Sequence, residues 1–234
     1  MSRADEFRAM HHGPPLLVLP NAWDVASACA FEAVAGCRAI ATSSAAVARS
    51  LGFEDGEQTP VDEMLRVVER IAAAVAVPVT ADLEAGYGDA PATAARALAM
   101  GAAGMNFEDS RGGRQLPLDE QVEAIRAVRA AAPELVLNAR VDTFLVGGGD
   151  VADAVERGNA YLDAGADCVY PITAPLDVVD VLAARIRGPL NVLVAPSNPP
   201  LDALARLGVA RVTFGSGLAR VALDAAVAAL PRLE

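Results

Sequence analysis

Val75-Ala76-Val77-Pro78-Val79-Thr80-Ala81-Asp82-Leu83-Glu84-Ala85-Gly86-Tyr87-Gly88 is an apolar run that ends in two acids and two glycines. The run through Val79 reads as a buried strand, and a helical pattern begins just beyond the glycines, near Pro91. Asp82 and Glu84 stand two residues apart at the strand's end, where alternation would project both to one side. Gly86 and Gly88 let the backbone turn sharply past them. Acids paired in this way suit a hard divalent cation such as Mg²⁺, which prefers oxygen ligands and keeps several waters. An acidic solvated loop is the plainer alternative.

The same unit of strand, turn and helix repeats along the chain. Apolar runs at Leu16–Leu19, Ala39–Thr42, Met105–Glu108, Leu135–Arg140, Cys168–Tyr170, Val192–Val194 and Arg211–Phe214 join the run at Val75 to make eight strands. Helical patterns follow each of them, among them Asp24–Ala35, Val61–Ala74, Leu118–Ala132 and Leu218–Leu230, with a short one at Ala45–Leu51. Gly36, Gly101, Gly165 and Gly208 each end a helix, where the left-handed conformation favours glycine. Eight such units predict a (β/α)₈ TIM barrel, with an open doubly wound sheet as the second choice. No linker or low-complexity tract breaks the chain, so residues 1–234 read as one domain.

Composition narrows the chemistry. The net charge of −11 argues against nucleic acid and against anionic membranes, and no apolar run reaches the ~20 residues of a span. Three cysteines, Cys29, Cys37 and Cys168, lack CxxC spacing and lie in or beside apolar runs, which suggests buried free thiols and a cytoplasmic protein. All nineteen basic residues are arginine, so lysine Schiff bases and a Walker lysine are excluded. The two histidines, His11 and His12, sit in the N-terminal segment, far in sequence from the strand ends.

In a barrel of this kind the active site forms at the C-terminal strand ends. Those ends carry Asn21, Ser43, Ser44, Asp82, Glu84, Glu108, Asp109, Arg140, Asp142, Thr173, Ser197, Asn198 and Ser216. Asp82 would hold the cation, with Glu84 and Glu108 acting directly or through waters. Arg140 offers a planar fork to a substrate carboxylate or phosphonate, or else pairs with Asp142. The amides of Ser43, Ser44 and Ala45 begin a turn toward a helix and could bind an anion, or the serines could merely cap that helix. Trp23 lines the mouth or caps the core, and Phe214-Gly215-Ser216-Gly217 reads better as a tight turn than as a phosphate loop. Arg111 and Arg114 are either anion clamps or exposed loop charge.

Several segments together resemble the isocitrate lyase/phosphoenolpyruvate mutase family. They are Leu19–Asp24, Ala41–Ser44, Leu51–Gly56, Ala81–Gly88, Asn106–Ser110 and Asn138–Asp142, and they occur in the family's order. The acid pair before Gly-Tyr-Gly, the following Glu-Asp and the later Ala-Arg-Val-Asp form the specific part of the signature. The resemblance implies a (β/α)₈ barrel, Mg²⁺ (or Mn²⁺), and a small 2-oxo or 2-hydroxy acid handled through a pyruvate-type enolate. It implies Asp82 as direct metal ligand, Glu84 and Glu108 in the metal shell, and Asp55 as a carboxylate near metal and substrate. Ser43, Ser44, Ala45 and Arg140 would bind the substrate's carboxylate, with Trp23 beside them.

Departures from the family pattern refine the expectation. Members that cleave isocitrate or methylisocitrate carry a Lys-Lys/Arg-Cys-Gly-His motif where this chain reads Ser110-Arg111-Gly112-Gly113-Arg114-Gln115. They also carry a glutamate after the sixth strand, where Pro171-Ile172-Thr173 stands here. The expected activity is therefore C–C cleavage of a malate- or oxaloacetate-like acid. A phosphonomutase or phosphonopyruvate hydrolase acting on a C–P bond, and an inactive oxo-acid-binding barrel, are the alternatives. A homodimer or homotetramer is the expected assembly, with or without exchange of a helix between barrels.

Overall fold

The computed structural model describes residues 2–146, 148–195 and 200–231. Ser197 and Asn198, expected at the seventh strand's end, lie outside the described residues.

Eleven strands are present among them: β1 (Leu17–Leu19), β2 (Asn21–Ala22), β3 (Ile40–Thr42), β4 (Val79–Asp82), β5 (Gly104–Phe107), β6 (Ser110–Arg111), β7 (Arg114–Gln115), β8 (Val136–Val141), β9 (Cys168–Pro171), β10 (Asn191–Leu193) and β11 (Arg211–Thr213). Parallel pairing runs β2-β3-β4-β5-β8-β9 and β1-β11-β10. Two links close these ladders into a barrel. A parallel bridge joins Val169 to Leu190 beside β10, and β1 continues into β2 across Pro20. Proline has no N–H to give the ladder, so one barrel strand appears as two pieces. Counted so, the barrel has the eight parallel strands and the alternating helices of the (β/α)₈ fold.

The third strand begins later than the sequence suggests, at Val79 rather than Val75. Pro78 lacks a donor, and the Ala76 and Val77 amides both bond Glu32 Oε1, at 2.7 and 3.1 Å. Amides committed to a helix carboxylate cannot join a ladder. Past β4, Gly86 has φ of 90°, and a Cβ there would lie 2.3 Å from that of Ala90. Only glycine permits so close a return of the turn onto the helix Ala90–Ala99.

The helix Val61–Ala74 shows how the outer ring is anchored. Met64, Leu65, Val68, Ile71 and Ala72 are buried at helical spacing, while Asp62 and Glu63 sit in the first turn, where the helix dipole favours acids. The reading of the cysteines needs one correction. Cys168 is buried, but Cys29 is exposed because its face of the helix Val25–Glu32 points outwards; all three thiols are free.

A helix that the sequence reading missed, Arg3–Ala9, closes the barrel floor. Its Phe7 is fully buried with Leu17, Leu19, Ala41 and Val136. Both histidines therefore lie at the floor, away from the mouth, and His11 Nδ1 contacts the Phe7 carbonyl oxygen at 2.8 Å. No described helix is long and apolar enough to cross a membrane. The last helix, Gly217–Ala228, buries only Ala219 and leaves Val221, Leu223 and Val227 exposed.

Candidate active site

Asp82, the last residue of β4, is anchored on both carboxylate oxygens. Its Oδ2 accepts from the Ser44 amide and the Ser44 hydroxyl, both at 3.0 Å, and its Oδ1 accepts from Asn106 Nδ2 at 3.3 Å. Its own N–H donates to Thr42 Oγ1 at 2.9 Å. A carboxylate presents about four lone-pair sites, so these three donors leave one, on Oδ1.

Glu84 lies beyond the strand with φ of 50°, so pleat alternation does not govern it as expected from sequence. It is buried, and its Oε1 accepts from the Tyr87 hydroxyl at 2.7 Å and its Oε2 from the Glu57 amide at 2.6 Å. Glu57 and Tyr87 also have positive φ, 61° and 55°. Non-glycine residues held there cost of order 1–3 kcal/mol each, a strain that collects at functional sites. The Glu84 carboxylate thus ties the Asp55–Glu57 loop to the turn after β4.

Glu108 forms an ion pair with Arg140 through Nη1. The rest of that guanidinium lies bidentate on Asp142, with Nε and Nη2 at 2.6 and 2.8 Å from its two oxygens. The expected substrate fork is therefore the Asp142 ion pair, and one N–H each on Nη1 and Nη2 remains for a ligand. Asp142 is fully buried; it also accepts from the Ser110 hydroxyl, and its N–H donates to Asp109 Oδ1 at 2.8 Å. Asp109 itself is a structural hub, accepting from Tyr161, Gln115 and Arg157.

Electrostatics follow from this crowding. Burial pushes the Glu108 carboxyl up to about 9; Arg140 opposes this but is already engaged by Asp142. Burial and then the charge on Asp82 raise Asp55. Burial raises Glu84, opposed by the Tyr87 hydrogen bond. Burial also pushes the Tyr170 phenol up to about 12.

The anion-binding turn is corrected by the structure. Ser43 caps the helix Ser44–Leu51 through Ala46 N–H, and its own N–H goes to Ala22. Ser44 spends both donors on Asp82, because the chain's own carboxylate is the nearest anion to that helix start. Of the three residues, only Ala45 keeps an amide without a partner among the described residues. Trp23 packs edge-on against Phe31, ring centroids 6.0 Å apart, which is a packing role. Residues 110–115, expected to be a loop, form the antiparallel β6–β7 hairpin. Arg111 pins it through the Ala85 carbonyl at 3.0 Å and lies 3.7 Å from Glu57, while Arg114 is exposed.

Beneath this hairpin is a cavity of about 180 Å³, bordered by Glu57, Glu84, Glu108, Ser110 and Arg111. A larger depression, about 720 Å³, lies at the floor around His11–Pro14 and Ile186–Pro189, but no carboxylate lines it. Asp55, Glu84 and Glu108, whose carboxyls are raised, and the strained Glu57, Glu84 and Tyr87 belong to the mouth, which is where chemistry is expected.

Among the described residues no three His, Cys, Asp or Glu side chains converge closely enough to enclose a metal ion. Asp82, Glu84 and Glu108 are thus not a closed cage: Glu84 turns to Tyr87 and Glu57, and Glu108 to Arg140. The donor set nonetheless fits Mg²⁺, which is commonly held by one or two carboxylates with waters and substrate completing the octahedron. Sequence reading missed Asn106 and Tyr87. A polar residue such as Asn106, inside an otherwise apolar strand, was the available signal.

The phosphoenolpyruvate phosphomutase family model matches residues 7–233. An uncharacterized Mycobacterium tuberculosis protein is 37% identical over 213 residues, 90% of this chain and 81% of its own length. The 2-methylisocitrate lyase of Bacillus subtilis is 33% identical over 181 residues; the match covers 72% of this chain but only 59% of that enzyme. A solved structure from Burkholderia cenocepacia J2315 superposes with a TM-score of 0.92 at 36% identity, covering 97% of this chain and 98% of that one.

Proposed function

The chain belongs to the phosphoenolpyruvate phosphomutase family of lyases and mutases, and on that premise we propose that it is a Mg²⁺-dependent lyase. Its substrate is a small 2-oxo or 2-hydroxy dicarboxylic acid, cleaved at a C–C bond whose electron pair passes into an enolate: that of pyruvate from an oxo acid, or that of the departing carboxylate from a hydroxy acid, which then takes up a proton. The observation that carries this reading is Asp82, fixed by three donors with one lone pair left, beside the acids of a cavity of about 180 Å³.

Asp82 would hold the cation, with Glu84 and Glu108 reaching it through waters. When bound, Mg²⁺ supplies positive charge beside the oxygen that becomes the enolate, which lowers the barrier. The two remaining N–H groups of Arg140 and the Ala45 amide hold the substrate's carboxylate. Asp142 and Ser110 keep the guanidinium in place. The hairpin, pinned by Arg111, shields the acids from water. Because residues 110–115 offer no thiol, the substrate is a simpler acid than methylisocitrate. The exposed apolar face at Val221, Leu223 and Val227 supports assembly of the chain into a homo-oligomer.

The test is pyruvate release from oxaloacetate, alkylmalates and phosphonopyruvate, with and without Mg²⁺. Mg²⁺-dependent release from an alkylmalate or oxaloacetate supports the lyase. Release from phosphonopyruvate alone moves the reading to a C–P bond. No turnover, with an oxo acid still raising the melting temperature, would leave a binding protein. Asp82→Ala should remove the metal dependence, and unchanged activity in that variant would overturn the metal assignment.

A further inference from the structure

Arg211 is the largest fully buried side chain among the described residues. It starts β11, in register with Leu17 of β1 and Asn191 of β10, so it belongs to the lower part of the barrel. Its guanidinium lies 5.9 Å from the centroid of the Phe7 ring that closes the floor. Among the described residues no carboxylate pairs with it, and its Nε and Nη1 have no hydrogen-bond partner. An arginine keeps its charge even when buried, and a buried charge without an ion partner is costly to the fold. A hydrophobic residue of the same volume would serve packing better, so stability does not explain the arginine.

Its one polar contact among the described residues points up the barrel. Arg211 Nη2 donates to Asn106 Oδ1 at 3.3 Å, and Asn138 Nδ2 donates to the same oxygen at 2.7 Å. The other end of the Asn106 amide, Nδ2, donates to Asp82 Oδ1 at 3.3 Å. A guanidinium can only donate, whereas an amide can turn over and exchange its two ends. The Asn106–Asn138 pair could reverse together, which would set an amide oxygen against the Asp82 carboxylate. Arg211 blocks that reversal from below.

We propose that Arg211 is a positioning residue for Asp82, acting through Asn106. By fixing which end of the amide faces the mouth, it places a donor on Oδ1 and leaves that oxygen's other lone pair for the cation. The proposal rests on the reading of Asp82 as the metal ligand, so its test includes a readout that needs no metal.

The variants are Arg211→Met, Arg211→Lys, Asn106→Ala and the double variant R211M/N106A. Calorimetric titration with Mg²⁺ or Mn²⁺ should show R211M binding about 10-fold more weakly, the lower end of what outer partners of a metal ligand supply. Its melting temperature should stay level or rise. R211K should recover most of the affinity, since it too can only donate. R211M/N106A should bind no more weakly than N106A, because both act on one chain of bonds. Additive losses, or unchanged affinity in R211M, would overturn the proposal. The metal-free readout is the Asn106 side-chain amide signal in ¹⁵N NMR, sharp in the parent protein and broadened in R211M. If the parent protein binds no cation, or Asp82→Asn binds like the parent, the metal reading fails by itself and the amide signal decides. An Asn106 signal unchanged in R211M would then refute the positioning role.

Discussion

Glu108 gives the sharpest test of how the mouth balances its charges. Its carboxyl is pushed from an ordinary 4.5 up to about 9, first by burial and then by neighbouring acids, with Arg140 opposing. Between those two values the folded protein holds a proton that the unfolded chain has lost. Stability contributed by that proton is complete below about pH 4.5 and is lost as pH rises toward 9. At about 1.36 kcal/mol per pH unit the ceiling is roughly 6 kcal/mol. The three units from pH 5.5 to 8.5 cover about 4 kcal/mol of that ceiling, and Arg140, already against the carboxyl, offsets about half of it once Glu108 ionises, so ~2 kcal/mol is the expected measured loss. The assay is urea unfolding at pH 5.5, 7 and 8.5 at constant ionic strength, on the parent protein and on Glu108→Gln. The parent should lose stability across this range, and E108Q should lose ~2 kcal/mol less. Asp55, Glu84 and Asp109 are also raised and act in the same direction, so only the difference between the two proteins isolates Glu108. Mg²⁺ should restore stability at pH 8.5, since metal binding displaces the proton. Parallel pH profiles for the two proteins would refute the reasoning.

Three further outcomes follow from the packing. Gly86→Ala meets both a φ of 90° and a Cβ approach of 2.3 Å to Ala90, so it should cost about 2–4 kcal/mol in urea unfolding. A cost below about 1 kcal/mol would show that the turn has room. Phe7→Ala should lower stability by about 3–5 kcal/mol through the cavity left at the floor, while leaving Mg²⁺ affinity within twofold. Asp109→Asn removes the charge that Tyr161, Gln115, Arg157 and the Asp142 amide all address. It should cost about 3–5 kcal/mol, and a melting temperature equal to the parent's would contradict the hub.

The barrel was legible because burial on both faces of parallel strands writes itself as apolar runs, and glycines mark the helix ends. What the runs could not show is where backbone donors go. Val75–Val77 is apolar enough for a strand, yet Glu32 takes two of its amides. The acids Asp82, Glu84 and Glu108 were found by position at strand ends, and all three do stand at the mouth. Their partners were not found, because each depends on contacts across the barrel. Ser44 looked like an anion site for substrate and instead holds Asp82, 38 positions away in sequence. Arg140 carried two readings in the sequence, and only its side-chain geometry chose Asp142. The N-terminal helix was missed because seven residues with two buried positions give almost no periodic signal.

Charge balance explains why the mouth needs a cation at all. Asp55, Asp82, Glu84, Glu108 and Asp142 influence one another there, and among the described residues Arg140 is the arginine in direct contact with them. Asp142 neutralises most of that arginine, and the chain has no lysine to add. The protein answers with dipoles and protons instead: the Ser44 helix start and Asn106 on Asp82, Tyr87 and the Glu57 amide on Glu84, and a retained proton on Glu108. These are partial charges, and they leave the site short of positive charge before an anionic substrate arrives. A dicarboxylic acid would enter such a mouth only together with a divalent ion, so cation and substrate should bind cooperatively. Titrating oxaloacetate with and without Mg²⁺ measures that coupling directly, and equal affinities in the two titrations would break the link between the acids and the substrate.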